Sequence, residues 1–471
     1  MGKKLQIIYA GAFLAICVTP LALLPIVGIE EDTSENRQLS EMPSFVENGK
    51  INSDWGNQFE TYFSEHFALR GKLVTLDSMI KSATFKTSSN EKVIVGKNDW
   101  LYFADTLPDY TGSERMTQRR VYNTAKTLQL LQEHFENDGK SFLFMCAPNK
   151  NSVYSENMPS RIIKSDKPTN LDRLSDILNE LSVNNISIKD IFSQYDQTLY
   201  LQRDSHWTNE GAAIAFNAAA DALGWEHYDY TEYPHSIEKV WHADLDGMLF
   251  PSYERLSEQV VYDHESRFEY AGSFLNEDDL LIKTSCQDGS GNLLMYRDSF
   301  GRAFYPIAAE SAQRAYFSRE LPYKTSLADE VKADYVILEV VERNLSYITQ
   351  RAPFMNAPER EIDISADVVE GDNSCTYNIK GKHLNISGIL DEEYFASNSD
   401  ILITMENEDG LYCFEPFPIY ESGDDEQTDT DYGFSLTVNK NELDKGIYEI
   451  YAYVENNGEY ICTQALAEVE I

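Results

Sequence analysis

Between residues 90 and 355 short, continuously apolar runs alternate with segments of helical periodicity, and few architectures accommodate that alternation. "KSFLFMCAPNK" (140–150) is an apolar run of strand length that stops at Pro148, and "GNLLMYRDSF" (291–300) and "ADYVILEVVERNL" (333–345) repeat its texture. "ISIKDI" (186–191) reads as a further strand. Helical patterns lie around 116–137 and 169–182, and again in "NEGAAIAFNAAADAL" (209–223) and "GRAFYPIAAESA" (301–312). A strand apolar on both faces needs cover on both, and an intervening helix supplies it while returning the chain parallel to its start. The expected core is therefore an α/β domain over 90–355 with a mostly parallel sheet. In such sheets ligands sit at the carboxyl ends of the strands.

Two of the loops placed there carry reactive groups. In "YLQRDSHWTNEGA" (200–212), Asp204 and His206 stand two residues apart just before a helix. In an extended loop, side chains at i and i+2 lie on one side, whereas on a helix they would diverge. Thr208 or Asn209 is placed to cap that helix, with Glu210 in its first turn. In "YRDSFGRA", Ser299 follows a buried-looking strand and precedes Gly301 and a helix, a turn that presents a hydroxyl beside free backbone N–H groups. A nucleophile, a base and an orienting acid are thus available as Ser299, His206 and Asp204. Each loop alone recurs by chance, and a histidine before a helix is more often structural.

Several motifs occur in a fixed order: "ENRQLSEMPSF", "FETYFSEHFALR", "GKNDWLYF", "APNK", "RDSHWTNEGA", "YRDSFG" and "LEVVERNL". In that order the chain resembles the AlgX/AlgJ-like, SGNH-hydrolase-like proteins, also called DHHW proteins, over roughly residues 33–350. The resemblance implies an extracytoplasmic SGNH-type domain related to polysaccharide O-acetyltransferases. It puts the family's Asp and His on Asp204 and His206 and its nucleophile on Ser299. Two departures stand out. Ser205 occupies the place of the first histidine of the DHHW name, and Arg297-Asp298 replaces the Gly-Asp usual before an SGNH nucleophile. Lys150, Tyr305 and Arg343 are candidates to line the substrate and oxyanion pocket. Their plainer roles are an exposed lysine, a tyrosine packed on its helix, and an arginine paired with Glu339 or Glu342. "HADLDGML" (242–249) offers His242, Asp244 and Asp246, but such loops more often cap a turn than hold a metal, and no metal or cofactor is expected.

The chemistry expected is acyl transfer through an acetyl-serine, with a polysaccharide hydroxyl as acceptor, or water if the protein is instead a carbohydrate acetylesterase. A catalytically silent glycan-binding or scaffold protein is the third reading. The remaining segments set the context. Lys3 and Lys4 precede an uncharged run from residue 5 to 28, and Glu30, Glu31 and Asp32 follow it. Residues 1–32 are therefore expected to form a transmembrane signal anchor with the rest outside the cytoplasm, cleaved secretion being the rival. One span cannot carry acetyl groups across a membrane, so a multi-span membrane acyltransferase is the expected donor. With 78 acidic against 39 basic residues the formal charge is −39, which argues against nucleic acid as a partner. Residues 33–89 read as linker and amphipathic helix, Trp55, Phe59, Phe63, Phe67 and Leu69 recurring at helical spacing and expected to pack on the core. Residues 360–471 show period-two alternation and short turns, the pattern of a β-sandwich that binds carbohydrate or another protein. Cys375, Cys413 and Cys462 fall there and could form one disulfide.

Overall fold

The computed structural model describes residues 3–27, 40–47, 49–361, 366–408, 410–422, 429–456 and 458–471. The alternation anticipated from the sequence builds a seven-stranded sheet. Its strands are β1 (Ser141–Ala147), β2 (Asn185–Ile186), β3 (Glu269–Tyr270), β4 (Leu281–Ser285), β5 (Asn292–Tyr296), β6 (Arg314–Ser318) and β7 (Tyr335–Val341). They lie in the order β2-β1-β7-β5-β6-β4-β3. The first five in that order are parallel, and β4 and β3 close one edge antiparallel. Separate apolar clusters cover the two faces. Helices Asn209–Ala222 and Gly301–Ser311 pack through Ala212, Phe216, Phe304 and Ala308 on one, and Gln118–Asn137 and Asn170–Glu180 through Leu128, Leu131 and Leu174 on the other.

"ISIKDI" departs from expectation. Only Asn185–Ile186 pairs in the sheet, and Ile188–Phe192 is helical because Ser187 accepts from the Asp190 amide and caps a helix there. Antiparallel β4 and an exposed ribbon, His235–His242 paired with Leu256–Tyr262, were not anticipated. Residues 93–103 form a hairpin, with Asn98 and Asp99 at positive φ.

The aromatic stripe of residues 55–69 does not join the core. Two helices, Trp55–His66 and Arg70–Phe85, meet at Leu69, whose φ of 65° breaks the run. None of the first helix is buried, and its rings stack on one another instead, Trp55 on Phe59 at 4.8 Å. At the N-terminus a helix runs Lys3–Val27. The side chains of several of its residues, Cys17 among them, lie outside the described residues, as do Glu30, Glu31 and Asp32. Among the described residues no helix is long and apolar enough to cross a membrane.

The C-terminal region is β-rich. Six-stranded and four-stranded sheets share one core that includes Leu384, Ile386, Ile403, Phe434, Ile450 and Val454. Cys375, Cys413 and Cys462 are free thiols, so the disulfide considered there does not form. The region leans on helix Gln118–Asn137 through Arg120–Asp431 (2.7 Å) and Lys126–Glu415 (2.5 Å).

Candidate active site

Ser299 and His206 come from the carboxyl side of the sheet, as the strand-end rule requires. β5 ends at Tyr296, and Arg297-Asp298-Ser299 turns at once into helix Gly301–Ser311. Asp298 fixes that turn. Its Oδ1 accepts from the Phe300 amide (2.9 Å), and its Oδ2 from the Val341 amide at the end of β7 (2.8 Å) and from Asn344 Nδ2 (3.3 Å). Gly301 is required because an added Cβ would lie 2.7 Å from Arg297 Cβ and Cδ. The Ser299 amide has no acceptor among the described residues, so a donor stays free beside the hydroxyl.

The opposing loop is held just as closely. Thr208 caps helix Asn209–Ala222 by accepting from the Gly211 amide. Gly211 lets the helix approach Leu199, whose carbonyl oxygen would lie 2.5 Å from an added Cβ. Trp207, 1% exposed, donates its indole N–H to the Phe300 carbonyl (3.0 Å) and meets the Phe300 ring edge-on at 5.1 Å. The residue after His206 thereby clamps the residue after Ser299.

The result is a continuous chain of hydrogen bonds. His206 Nε2 lies 2.9 Å from Ser299 Oγ, and His206 Nδ1 lies 2.7 Å from Asp204 Oδ1. Asp204 Oδ1 also accepts from the His206 amide (2.9 Å), while Oδ2 accepts from Trp241 Nε1 (2.9 Å) and the Asp244 amide (2.9 Å). Burial alone would raise this carboxyl. His206, Trp241 and the Asp244 amide outweigh it and hold Asp204 well below the usual carboxylate range. Burial likewise depresses His206, but the Asp204 hydrogen bond and charge, with Asp244 behind them, leave it above its ordinary value.

The three candidates for the substrate and oxyanion pocket separate. Lys150 is neither exposed nor in the pocket. It is 4% exposed, and its ammonium shares three N–H groups among the carbonyls of Leu101 (2.7 Å), Leu201 (2.7 Å), Gln202 (2.8 Å) and Asp204 (2.8 Å). It therefore ties down the loop that carries Asp204, and burial lowers it to about 7. Tyr305 is also displaced from the pocket, buried in the helix-to-sheet core with its hydroxyl 3.0 Å from that of Tyr270. Arg343 lies near His206. It pairs with neither Glu339 nor Glu342, and its guanidinium lies over Phe103 (5.3 Å) and Phe300 (5.5 Å). It borders a cavity of about 640 Å³ whose lining includes Asp109, Glu342, Asn344 and Tyr347.

The "HADLDGML" segment is not a loop: His242 ends a strand and Asp244–Leu249 is a short helix whose start packs against the same site. Asp246 Oδ1 accepts from Arg203 Nε (2.9 Å), His242 is exposed, and Asp244 faces Ser205 and His206. Asp204, His206 and Asp244 bring three possible ligand atoms within 4.8 Å. The Asp204 oxygens and His206 Nδ1 are already engaged in the hydrogen bonds above, so the group is read as a relay rather than as a cation site. Trp241 escapes a motif search, and Asp244 drew notice only as a turn or metal candidate, because both meet Asp204 from about 40 residues away.

Residues 93–244 match the family model of the SGNH hydrolase-like domain of acetyltransferase AlgX. Over that span the chain is similar to AlgX. A probable alginate O-acetylase AlgJ from Pseudomonas putida is 23% identical over 234 residues, or 47% of this chain, and the chain spans about half (54%) of that relative's length. Among solved structures, the O-acetyltransferase domain of Pseudomonas putida AlgJ is 15% identical with a TM-score of 0.38, covering 54% of this chain and 92% of that one. A DHHW family protein from Eubacterium siraeum is 14% identical with a TM-score of 0.38, covering 48% and 86%. Ser299 lies outside the span that the family model matches.

Proposed function

We propose that the protein transfers acetyl groups to hydroxyls of a polysaccharide outside the cytoplasm, with Ser299 as nucleophile, His206 as base and Asp204 as the acid that orients it. The observation that carries this reading is the unbroken Ser299–His206–Asp204 hydrogen-bond chain. In the first step His206 Nε2 takes the Ser299 proton, and Oγ bonds to the acetyl carbonyl carbon. The carbonyl oxygen becomes an oxyanion facing the Ser299 amide, and as the donor's ester bond breaks its leaving oxygen receives the proton from His206. In the second, a sugar hydroxyl gives its proton to His206 and attacks the acetyl carbon, and as the acetyl–Oγ bond breaks His206 returns that proton to Ser299 Oγ. Arg343, without a carboxylate partner among the described residues, adds positive potential beside the site.

A polysaccharide acceptor is supported by the name of the Pseudomonas putida relative. Membrane attachment through the N-terminal helix, a multi-span acyltransferase as donor, and a β-sandwich that binds glycan or partner in the C-terminal region belong to the same proposal. Its test is acetyl release from 4-nitrophenyl acetate, with mass spectrometry for a Ser299 adduct. Ser299→Ala and His206→Ala are expected to lose about a thousandfold or more of the parent's rate. Equal, negligible rates and no adduct in the parent would leave the scaffold reading. Faster transfer to an oligosaccharide than to water separates transferase from esterase.

A further inference from the structure

We propose that Asp244 is a positioning residue of this site, a second carboxylate that acts on Nδ1 of His206 together with Ser205. The inference rests on reading Ser299 as the nucleophile and goes beyond the three-residue relay. Nδ1 of His206 faces three oxygens: Asp204 Oδ1 at 2.7 Å, Ser205 Oγ at 3.2 Å and Asp244 Oδ2 at 3.5 Å. Nδ1 carries a single proton, which goes to the nearest of them. Asp244 is therefore felt by the ring as charge, not as a direct hydrogen-bond acceptor.

Ser205 makes that arrangement specific. Its hydroxyl donates to Asp244 Oδ2, and its amide to Asp244 Oδ1 (2.8 Å). The Asp244 amide in turn donates to Asp204 Oδ2 (2.9 Å), so the two carboxylates are bound to each other through backbone. Ser205 stands where the DHHW name has histidine. A hydroxyl there can satisfy Asp244 without bringing a second titrating ring beside His206.

The groups that face Asp244 are few. Asp204, Ser205 and His206 approach from the loop, and the Leu245 amide donates to Asp244 Oδ1 (2.6 Å) from its own helix. Arg343 acts on His206 from beyond Phe300. Lys150 is held under the loop by its carbonyls, and Arg203 is engaged by Asp246 and Asp99. The Asp244 side chain keeps 29% of its surface open, yet burial and the Asp204 charge push it up to about 6. As it ionises, a second negative charge arrives on the imidazolium that forms when Ser299 gives up its proton.

The test uses the whole protein and reads two quantities. The first is the titration of His206 by nitrogen NMR, its signal assigned by loss in His206→Ala. In Asp244→Asn the midpoint is expected to fall by about one pH unit, and Asp244→Glu to restore most of it. The second is acylation of Ser299 by 4-nitrophenyl acetate. There Asp244→Asn lowers kcat about tenfold with KM unchanged, and Asp204→Asn/Asp244→Asn falls about tenfold below Asp204→Asn alone. An unchanged His206 midpoint in a folded Asp244→Asn protein overturns the proposal. Should that variant not fold, Ser205→Ala decides, since it keeps both carboxylates and removes only the bridging hydroxyl. A roughly threefold slower acylation supports the proposal, and an unchanged rate overturns it. Absence of any Ser299 adduct in the parent would instead strike the acyl-enzyme reading, which the NMR titration addresses separately because it needs no ester.

Discussion

Lys150 shows how a residue's type can point one way and its environment another. A buried ammonium surrounded by four carbonyls has no counter-ion in contact among the described residues, and its removal takes a donor from all four, leaving the Leu201 and Gln202 oxygens only the Asp204 (3.4 Å) and Leu101 (3.0 Å) amides. Lys150→Met is expected to cost about 3 kcal/mol or more of stability, read by urea unfolding, and to slow acylation through the loosened Asp204 loop. The sign of the pH dependence follows from the relay. On the proposed mechanism His206 accepts the Ser299 proton only when neutral, and its value is raised above 6.5, so activity is expected to rise with pH along a limb centred above 6.5 in a pH–rate profile. For stability, the Asp204 contribution is present above its ordinary 3.8 and is lost as pH falls through its depressed folded value. That of His206 is complete below 6.5 and fades as pH rises through its raised one. Ser299, His206 and Asp204 were legible in the sequence because each sits in a short segment of recognisable texture. Lys150, Tyr305 and Asp244 were not, since what they do is set by which carbonyls, rings or loops the fold brings against them.

At the scale of elements, the helix after His206 and the ribbon holding Trp241 position the acid–base pair from two sides. Thr208→Ala removes the cap and is expected to cost about 1 kcal/mol. Trp241→Phe leaves a ring but takes one of the four donors from Asp204, and a drop of about five- to tenfold in kcat with little change in KM is expected from acylation kinetics. Apolar runs such as 141–147 and 335–341 were readable as strands because burial on both faces leaves no polar interruption. The ribbon was not, because most of its first strand faces solvent, and "ISIKDI" misled because five apolar-patterned residues suit either a strand or one capped turn of helix.

Across the whole molecule, helix Gln118–Asn137 belongs to both regions at once. It covers one face of the sheet, and its Arg120, Lys126 and Glu133 meet Asp431, Glu415, Asp400 and Arg360 of the C-terminal region. Asp431 and Glu415 side chains are only 8% exposed, so these pairs are well screened from water and couple the two cores. Calorimetry is expected to show a single unfolding transition in the parent. In Asp400→Asn/Glu415→Gln/Asp431→Asn it should resolve into two, with a loss of about 3 kcal/mol or more. The period-two texture of residues 360–471 announced the strands, but the charges that join them to the helix are scattered through the sequence and show no local pattern.

The order of strands in the sheet has a consequence for how the protein is made. β7, the last of the seven in the chain, lies between β1 and β5. A nascent chain that has emerged only as far as Ser299 already contains every member of the relay, yet β1 and β5 still present unpaired edges to each other. Asp298 also lacks the Val341 amide that fixes the serine turn. Synthesis must therefore pass residue 341 before the reactive hydroxyl is set, and until then the exposed edges are what a chaperone or an export channel would need to shield.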